Sequence, residues 1–142
     1  MTKYILILAL SIACTSTMAR DTKHLLNIEE AMASSDFKER LDPEVKLYFS
    51  GQKYPEIEEA MDTFTTNKKT NAFNKSDKEA CQWVFLSALI QLQERAKKEG
   101  ANAVVDIESY YKKKVHASSE TYECHAGAII AGVALRGKMV RL

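Results

Sequence analysis

The chain predicts an α+β fold: one long helix packed on a small sheet that contains a C-terminal β-hairpin, with a short helical N-terminal lead-in. Three observations predict it. A capped helical pattern runs from about Asp77 to Lys98, and strand-like apolar segments follow it between Ala103 and Leu135. Glycine and proline, at 5 and 2 residues, are too scarce for a low-complexity or loop-dominated chain.

The first nineteen residues read as a secretory signal peptide. Lys3 is a short positive region, Ile5 to Leu10 with Ile12 and Ala13 is the apolar stretch, and Thr17-Met18-Ala19 is a small-x-small cleavage pattern. The uninterrupted apolar run is about ten residues, against roughly 20 for a membrane-spanning helix. Two alternatives are an uncleaved anchor and lipidation at Cys14, where Ser11-Ile12-Ala13-Cys14 resembles a lipobox with Ser11 in the usual aliphatic position. The chain thus divides into a signal peptide at 1–19, a helical lead-in at 20–44 and a single α+β domain at 45–142. The expected location is the periplasm, or the envelope by a lipid anchor at Cys14, with no transmembrane helix in the mature chain. Of 20 Lys/Arg and 19 Asp/Glu, only Lys3 leaves with the signal, so the mature chain is balanced. A balanced chain gives no electrostatic reason to expect nucleic acid or an anionic membrane surface as a partner.

In the lead-in, Asn27 with Glu30 resembles a capping box that opens a short helix through Ile28, Ala31 and Met32. Asp36 to Leu41 can add a turn or two before Asp42-Pro43 stops it. Val45, Leu47 and Phe49 alternate on one face of a strand closed by Gly51. Thr63-Phe64-Thr65-Thr66 fits a short strand, whereas Asn67 to Asn74 reads as polar and turn-like. The long helix has Ser76 as N-cap, Glu79 completing a capping box and Gly100 as the left-handed C-terminal residue. Its stripe is Ala80, Cys81, Val84, Ala88, Leu89, Leu92 and Ala96. One strand is expected from Ala103 to about Lys113 and a second from about Thr121 to Leu135, joined by a hairpin turn near Ala117-Ser118. The unbroken apolar run Ala128 to Leu135 suggests burial on both faces or close subunit contact. Lys138 to Leu142 either extends this strand or frays.

Two cysteines survive cleavage, Cys81 and Cys124, an even number in an oxidising compartment. The helix rises about 28 Å from Cys81 to Gly100. A strand returning over it covers that distance in roughly eight residues and comes level with Cys81 near Tyr111. A turn at Ala117-Ser118 then sets Tyr111 opposite Cys124, so a Cys81–Cys124 disulfide is expected. Unpaired thiols are the alternative; without a Cys-x-x-Cys spacing, redox catalysis has little behind it.

No catalytic constellation is legible. Cys124 and His125 are neighbours on a strand, so their side chains point to opposite faces. His116 and His125 across the hairpin are the weak metal candidates, and the three histidines lack zinc or copper spacing. Glu56, Glu58, Glu59 and Asp62, like Lys112-Lys113-Lys114, read as solvated faces. Tyr110, Tyr111 and Tyr122 are a candidate partner surface at the hairpin end. There is no phosphate-binding glycine loop and no Gly-x-Ser-x-Gly elbow, and no cofactor is expected.

Gly100-Ala101-Asn102-Ala103-Val104-Val105 after an Ala/Leu-rich helix, with Ala131-Gly132-Val133-Ala134-Leu135 further on, resembles the C-terminal half of two envelope-associated groups. These are the RcsF-type outer-membrane stress sensors and the YbjQ-type heavy-metal-binding proteins. Tyr122-Glu123-Cys124-His125-Ala126-Gly127 and Thr65-Thr66-Asn67-Lys68-Lys69-Thr70-Asn71 resemble, over most of the mature chain, a family of small secreted bacterial proteins often labelled "excinuclease ATPase subunit". That label conflicts with the missing phosphate loop and with export. The resemblance implies an envelope role. RcsF-type proteins use two disulfides and a lipid anchor, against one cysteine pair here; YbjQ-type proteins form rings. The expected function is a non-enzymatic periplasmic protein that binds an envelope protein partner or assembles as a homo-oligomer. Periplasmic metal handling is the alternative.

Overall fold

The computed structural model describes residues 19–142; the signal-peptide reading of residues 1–18 and the lipidation candidate Cys14 lie outside the described residues. The architecture is α+β, a curled six-stranded sheet with one long helix on its inner face. In chain order the elements are β1 (Thr22–Asn27), α1 (Ile28–Ala33), α2 (Ser35–Arg40), β2 (Lys46–Phe49), β3 (Glu59–Asn71), α3 (Asp77–Glu99), β4 (Ala103–Ser109), β5 (Thr121–Ala126) and β6 (Ile130–Arg141).

Local chemistry sets the helix limits. The Asn27 side chain accepts a hydrogen bond from the Glu30 N–H at 2.7 Å and starts α1 where its capping pattern places it. The six residues before it are not helical: they form β1, antiparallel to β5, so the helical part of the 20–44 lead-in starts at Ile28. Ser76 Oγ accepts from the Glu79 N–H at 3.1 Å to open α3. Gly100 closes it at φ 78°, with its N–H donating to the carbonyls of Ala96 and Lys97. That backbone conformation favours a residue without Cβ.

β6 is the axis of the sheet. β3 runs antiparallel to it from Asn71↔Ile130 to Glu59↔Arg141, with a bulge between Ala60 and Thr63. The opposite edge of β6 is divided: β5 takes Ala131 and Gly132, and β4 takes Leu135 to Val140. β1 extends the sheet beyond β5, and β2 lies parallel beside β4. Asp106, at φ 53°, occupies the bulge where β4 slips against both neighbours.

Several strand expectations are corrected by this pairing. The polar run Asn67–Asn71 is strand, not turn, because every residue in it pairs with β6. The segment Thr121–Leu135 is two strands, interrupted at Gly127 to Ile129, where the Gly127 N–H donates to the Ile130 carbonyl at 2.8 Å. The C-terminal hairpin is therefore β5–β6 rather than a β4–β5 pair. β4 stops at Ser109, and a single helical turn at Tyr111–Lys113 follows it. Residues 138–141 extend β6.

α3 covers the inner face. Ala131, Val133, Leu135 and Met139 of β6 meet Val84, Leu89 and Leu92 in one core. Gly137 leaves room for the core side chains of β4: a Cβ there would lie 2.5 Å from Val104 Cγ1 and 3.3 Å from Ile107 Cγ1. Phe85 is the aromatic hub, stacked on Tyr122 at 3.8 Å between ring centroids and tilted against Phe37 and Phe49. Buried Gln93 donates from Nε2 to the carbonyls of Asp42 and Val45 and accepts from the Asp42 N–H, tying the α2–β2 connection to α3. A smaller cluster of Ala103, Val105 and Val140 lies on the other face under Tyr48 and Tyr54.

The Cys81–Cys124 bond forms, with sulfurs 2.06 Å apart and a sequence separation of 43. Its geometry differs from the hairpin argument. Cys124 stands opposite His24 of β1, not Tyr111, and reaches the helix because β5 turns Tyr122, Cys124 and Ala126 inward. Closing a loop of this length stabilises the fold by about 4 kcal/mol on the chain-entropy model. Cys81→Ser or Cys124→Ser should lower stability by roughly 2–4 kcal/mol under non-reducing conditions. An unchanged melting temperature for either variant contradicts the bridge.

Candidate functional site

The outer face of the sheet gathers titratable groups from four elements around one aromatic stack. Period-two alternation on β5 turns Tyr122, Cys124 and Ala126 toward α3 and leaves Glu123 and His125 on the opposite face. β1 brings Lys23 alongside, since Lys23 pairs with His125 in the ladder. Gly132 of β6 is the other cross-strand neighbour of His125. The Tyr111 ring lies in the space this glycine leaves: a Cβ at Gly132 would be 3.9 Å from Tyr111 Cε2, and a longer side chain would displace the ring.

Tyr111 stacks on His125 with ring centroids 3.6 Å apart and planes 11° from parallel. His125 Nδ1 stands 3.2 Å from Asp21 Oδ1, while its buried Nε2 has no hydrogen-bond partner and lies 3.7 Å from Glu123 Oε1. Glu123 is 6% exposed and meets Lys23 Nζ at 3.1 Å. Its backbone N–H donates to Ser109 Oγ at 2.9 Å. Burial, followed by the negative charges of Asp21 and Glu123, raises the Tyr111 phenol above its ordinary pKa.

The segment that carries Tyr111 is strained. Lys112 and Lys113 sit consecutively at φ 50° and 62°. Each such residue costs on the order of 1 kcal/mol, a conformation that persists only where the surroundings enforce it. Here the enforcing contacts are the Ser109–His116 bridge and the Tyr110 N–H, which donates to the Ala134 carbonyl at 2.8 Å. Arg136 lies 4.1 Å from the Tyr110 ring centroid and bonds Glu108 through Nε at 2.8 Å.

Two clefts meet at the Tyr111–His125 stack. One, of about 360 Å³, is lined by Asp21, Lys69, Gly127 to Ile130 and Gly132. The other, of about 430 Å³, is lined by Lys23, Lys112, Lys114, Val115, His116 and Glu123. The first continues into an apolar lip of Phe73, Ile129 and Ile130, exposed by 62%, 64% and 54%. A groove of about 390 Å³ between α2 and α3 is floored by Phe37, Trp83 and Leu86. Its acidic and basic residues are all exposed, and Arg40 covers Trp83 at 5.0 Å, so no buried polar group points into it. We place the candidate site on the outer face.

Of the residues singled out from sequence, His116, His125 and Tyr111 come together around the second cleft. The His116 ring bonds Thr121 Oγ1 at 2.9 Å. Tyr122 does not join them: it is 1% exposed and stacked on Phe85, because its strand position faces the helix. Burial drives its phenol far above the ordinary tyrosine pKa. The tyrosine surface is thus Tyr110 and Tyr111 alone. Asp21, Lys23, Glu123 and Lys69 complete the site, and no motif in the sequence marks them. Among the described residues no three His, Cys, Asp or Glu side chains converge in a metal-holding group. No helix among them is long and apolar enough to cross a membrane. No family model, curated protein or solved structure matches this chain.

Asp21 is held in place by its neighbour. Arg20 forms a two-pronged ion pair with Asp77 at 2.8 and 3.0 Å and donates to the Gly127 carbonyl at 2.8 Å; His24 Nε2 contacts the same Asp77 at 2.8 Å. Asp77 is the first residue of α3, where the helix dipole favours a carboxylate. The hydrogen bond from Arg20, then that from His24, lowers the Asp77 pKa to about 2. A depressed carboxylate contributes stability that is fully present above its unfolded pKa and is lost as pH falls through the folded value. The wild-type protein should therefore lose stability between about pH 4 and pH 2. Asp77→Asn should flatten that limb and cost no more than roughly 1 kcal/mol at neutral pH. Superimposable acid-unfolding curves for the two proteins would refute the clamp.

Proposed function

We propose that this protein is a non-catalytic binding protein of the bacterial cell envelope, exported through residues 1–19, whose working surface is the outer face of the sheet around Tyr111 and His125. The observation that carries this reading is the continuity of that surface. Two clefts share the Tyr111–His125 stack, and one of them opens onto the exposed Phe73–Ile129–Ile130 lip. An exposed apolar patch beside convergent polar groups marks a binding site more often than an inert surface. Binding rather than catalysis fits the wiring of the histidines. His125 faces two carboxylates and bonds no hydroxyl or thiol, and His116 is engaged by Thr121 inside a turn built on Ser118 Oγ.

Self-assembly is the second form of the same role, and β3 favours it. Its thirteen residues pair with β6 on one edge only, and no described strand covers the other. Antiparallel pairing of two copies about Thr65 would set Asp62 opposite Lys68, a favourable cross-strand combination. Metal handling has less support: the cysteines are joined, and three lysines surround His116 and His125.

Fractionation of the producing bacterium with mass measurement of the mature chain tests the proposal. The expected product lies in the periplasm and begins at Arg20, or lies in the membrane fraction with an acylated Cys14. Recovery from the cytoplasm with residues 1–19 intact would overturn it. Sedimentation of the same sample should show a dimer or higher oligomer if β3 pairs; a monomer at the highest attainable concentration removes that form. Stoichiometric copper or zinc in the purified protein would reverse the order of binding and metal handling.

A further inference from the structure

We infer that the outer face takes an anionic phospholipid, with the phosphate in the cleft under Lys112 and Lys114 and the acyl chains along Ile129, Ile130 and Phe73. This deepens the binding role proposed above and rests on the envelope location, where such lipids are at hand. Three independent features converge on it.

The first is charge. The cleft of about 430 Å³ sets three lysines, Lys23, Lys112 and Lys114, against one acid, Glu123. The chain as a whole carries a formal charge of only +1, so this surplus is local. Glu123 is already matched by Lys23 at 3.1 Å, which leaves Lys112 and Lys114 without an ion-pair partner in the cleft. Lysine ammonium groups bind phosphate as point charges and attract anionic lipid surfaces. The same surplus repels a divalent cation, although two histidines line the cleft.

The second feature is backbone strain. The turn that presents these lysines holds Lys112 and Lys113 in the left-handed region, which lysine disfavours. The fold enforces this conformation through the Ser109–His116 bridge, with the result that Lys112 stands 5.6 Å from the Tyr111 ring and over the cleft. A merely solvated lysine run needs no such geometry.

The third feature is the adjoining apolar surface. Crossing the Tyr111–His125 stack leads from the basic cleft to the Ile129–Ile130–Phe73 lip, with Lys69 between them. A free phosphate has no use for that lip. A neutral apolar ligand has no use for the lysines. An amphiphile with one anionic head satisfies both, and the aromatic stack lies at the boundary between its two parts.

The test is flotation of the full mature protein with vesicles of phosphatidylcholine, with and without phosphatidylglycerol. Binding is expected only with phosphatidylglycerol and should weaken as salt rises. The Lys112→Glu/Lys114→Glu double variant and Ile130→Asp should each bind at least about tenfold more weakly. Lys98→Glu, at the far end of α3, should bind as wild type; unchanged thermal melting establishes that each variant is folded. Equal binding by the Lys112→Glu/Lys114→Glu variant, or by Ile130→Asp, overturns the assignment. So does full competition by inorganic phosphate, which would make this a free-phosphate site. As a measurement free of variants, soluble short-chain phosphatidylglycerol should shift the His125 ring resonances, and unmoved resonances at saturation count against it. Absence of vesicle binding by a protein that fractionates to the periplasm removes the lipid inference alone. A cytoplasmic location removes the envelope role itself.

Discussion

A strand has two hydrogen-bonding edges, and the way β6 uses its own pair organises the rest of this molecule. β3 occupies one edge along its length. The other is shared by two strands, β5 near Ala131 and β4 beyond Leu135. Because β4 and β5 follow each other along one edge, the chain between them cannot close as a tight hairpin. It leaves the sheet at Tyr110, folds back over the outer face and returns through the His116 bridge. That excursion covers Gly132 with Tyr111, stacks Tyr111 on His125 and divides the outer face into two clefts. The site is thus a consequence of sheet pairing, not an addition to it.

The two faces of the sheet carry different physics. On the inner face, α3 buries a continuous apolar surface centred on Phe85, and burial of this kind is the main stabilising term in a domain of this size. The disulfide ties α3 to β5 from within that layer. The outer face is held by polar pairs instead: Glu123 with Lys23, His125 with Asp21, Arg136 with Glu108. Groups of this kind add little net stability when partly exposed. Their arrangement, with a strained turn above them, is what the proposed binding role draws on. The Arg20–Asp77 clamp links the faces, since it fixes the N-terminal end of β1 to α3 and thereby sets Asp21 beside His125.

Helix limits are legible because their chemistry is local. Ser76, Glu79 and Gly100 delimit α3 through bonds within a few residues, and Asn27 opens α1 in the same way. The α+β class and the cysteine pairing followed from α3 and from even cysteine number. β1 is not legible because its inward positions are Thr22, His24 and Leu26, which show alternation only once β5 lies beside them. Asn67 to Asn71 reads as a turn because its side chains are polar; ladder pairing with β6 overrides that preference. In sequence Tyr122 is equivalent to Tyr110 and Tyr111, yet its parity on β5 sends it into the core.

The sequence by itself determined the elements whose signals are short-ranged: a capped helix, the start of α1 and two cysteines available to pair. Only the tertiary structure decided which strand occupies which edge of β6, and hence where the chain leaves the sheet. The candidate site belongs wholly to that second category. His125 and Asp21 are 104 residues apart, and Tyr111 reaches His125 through a turn that no local preference would select. Their meeting depends on long-range pairing, where each contact is specified by the whole ladder and not by the residues that touch.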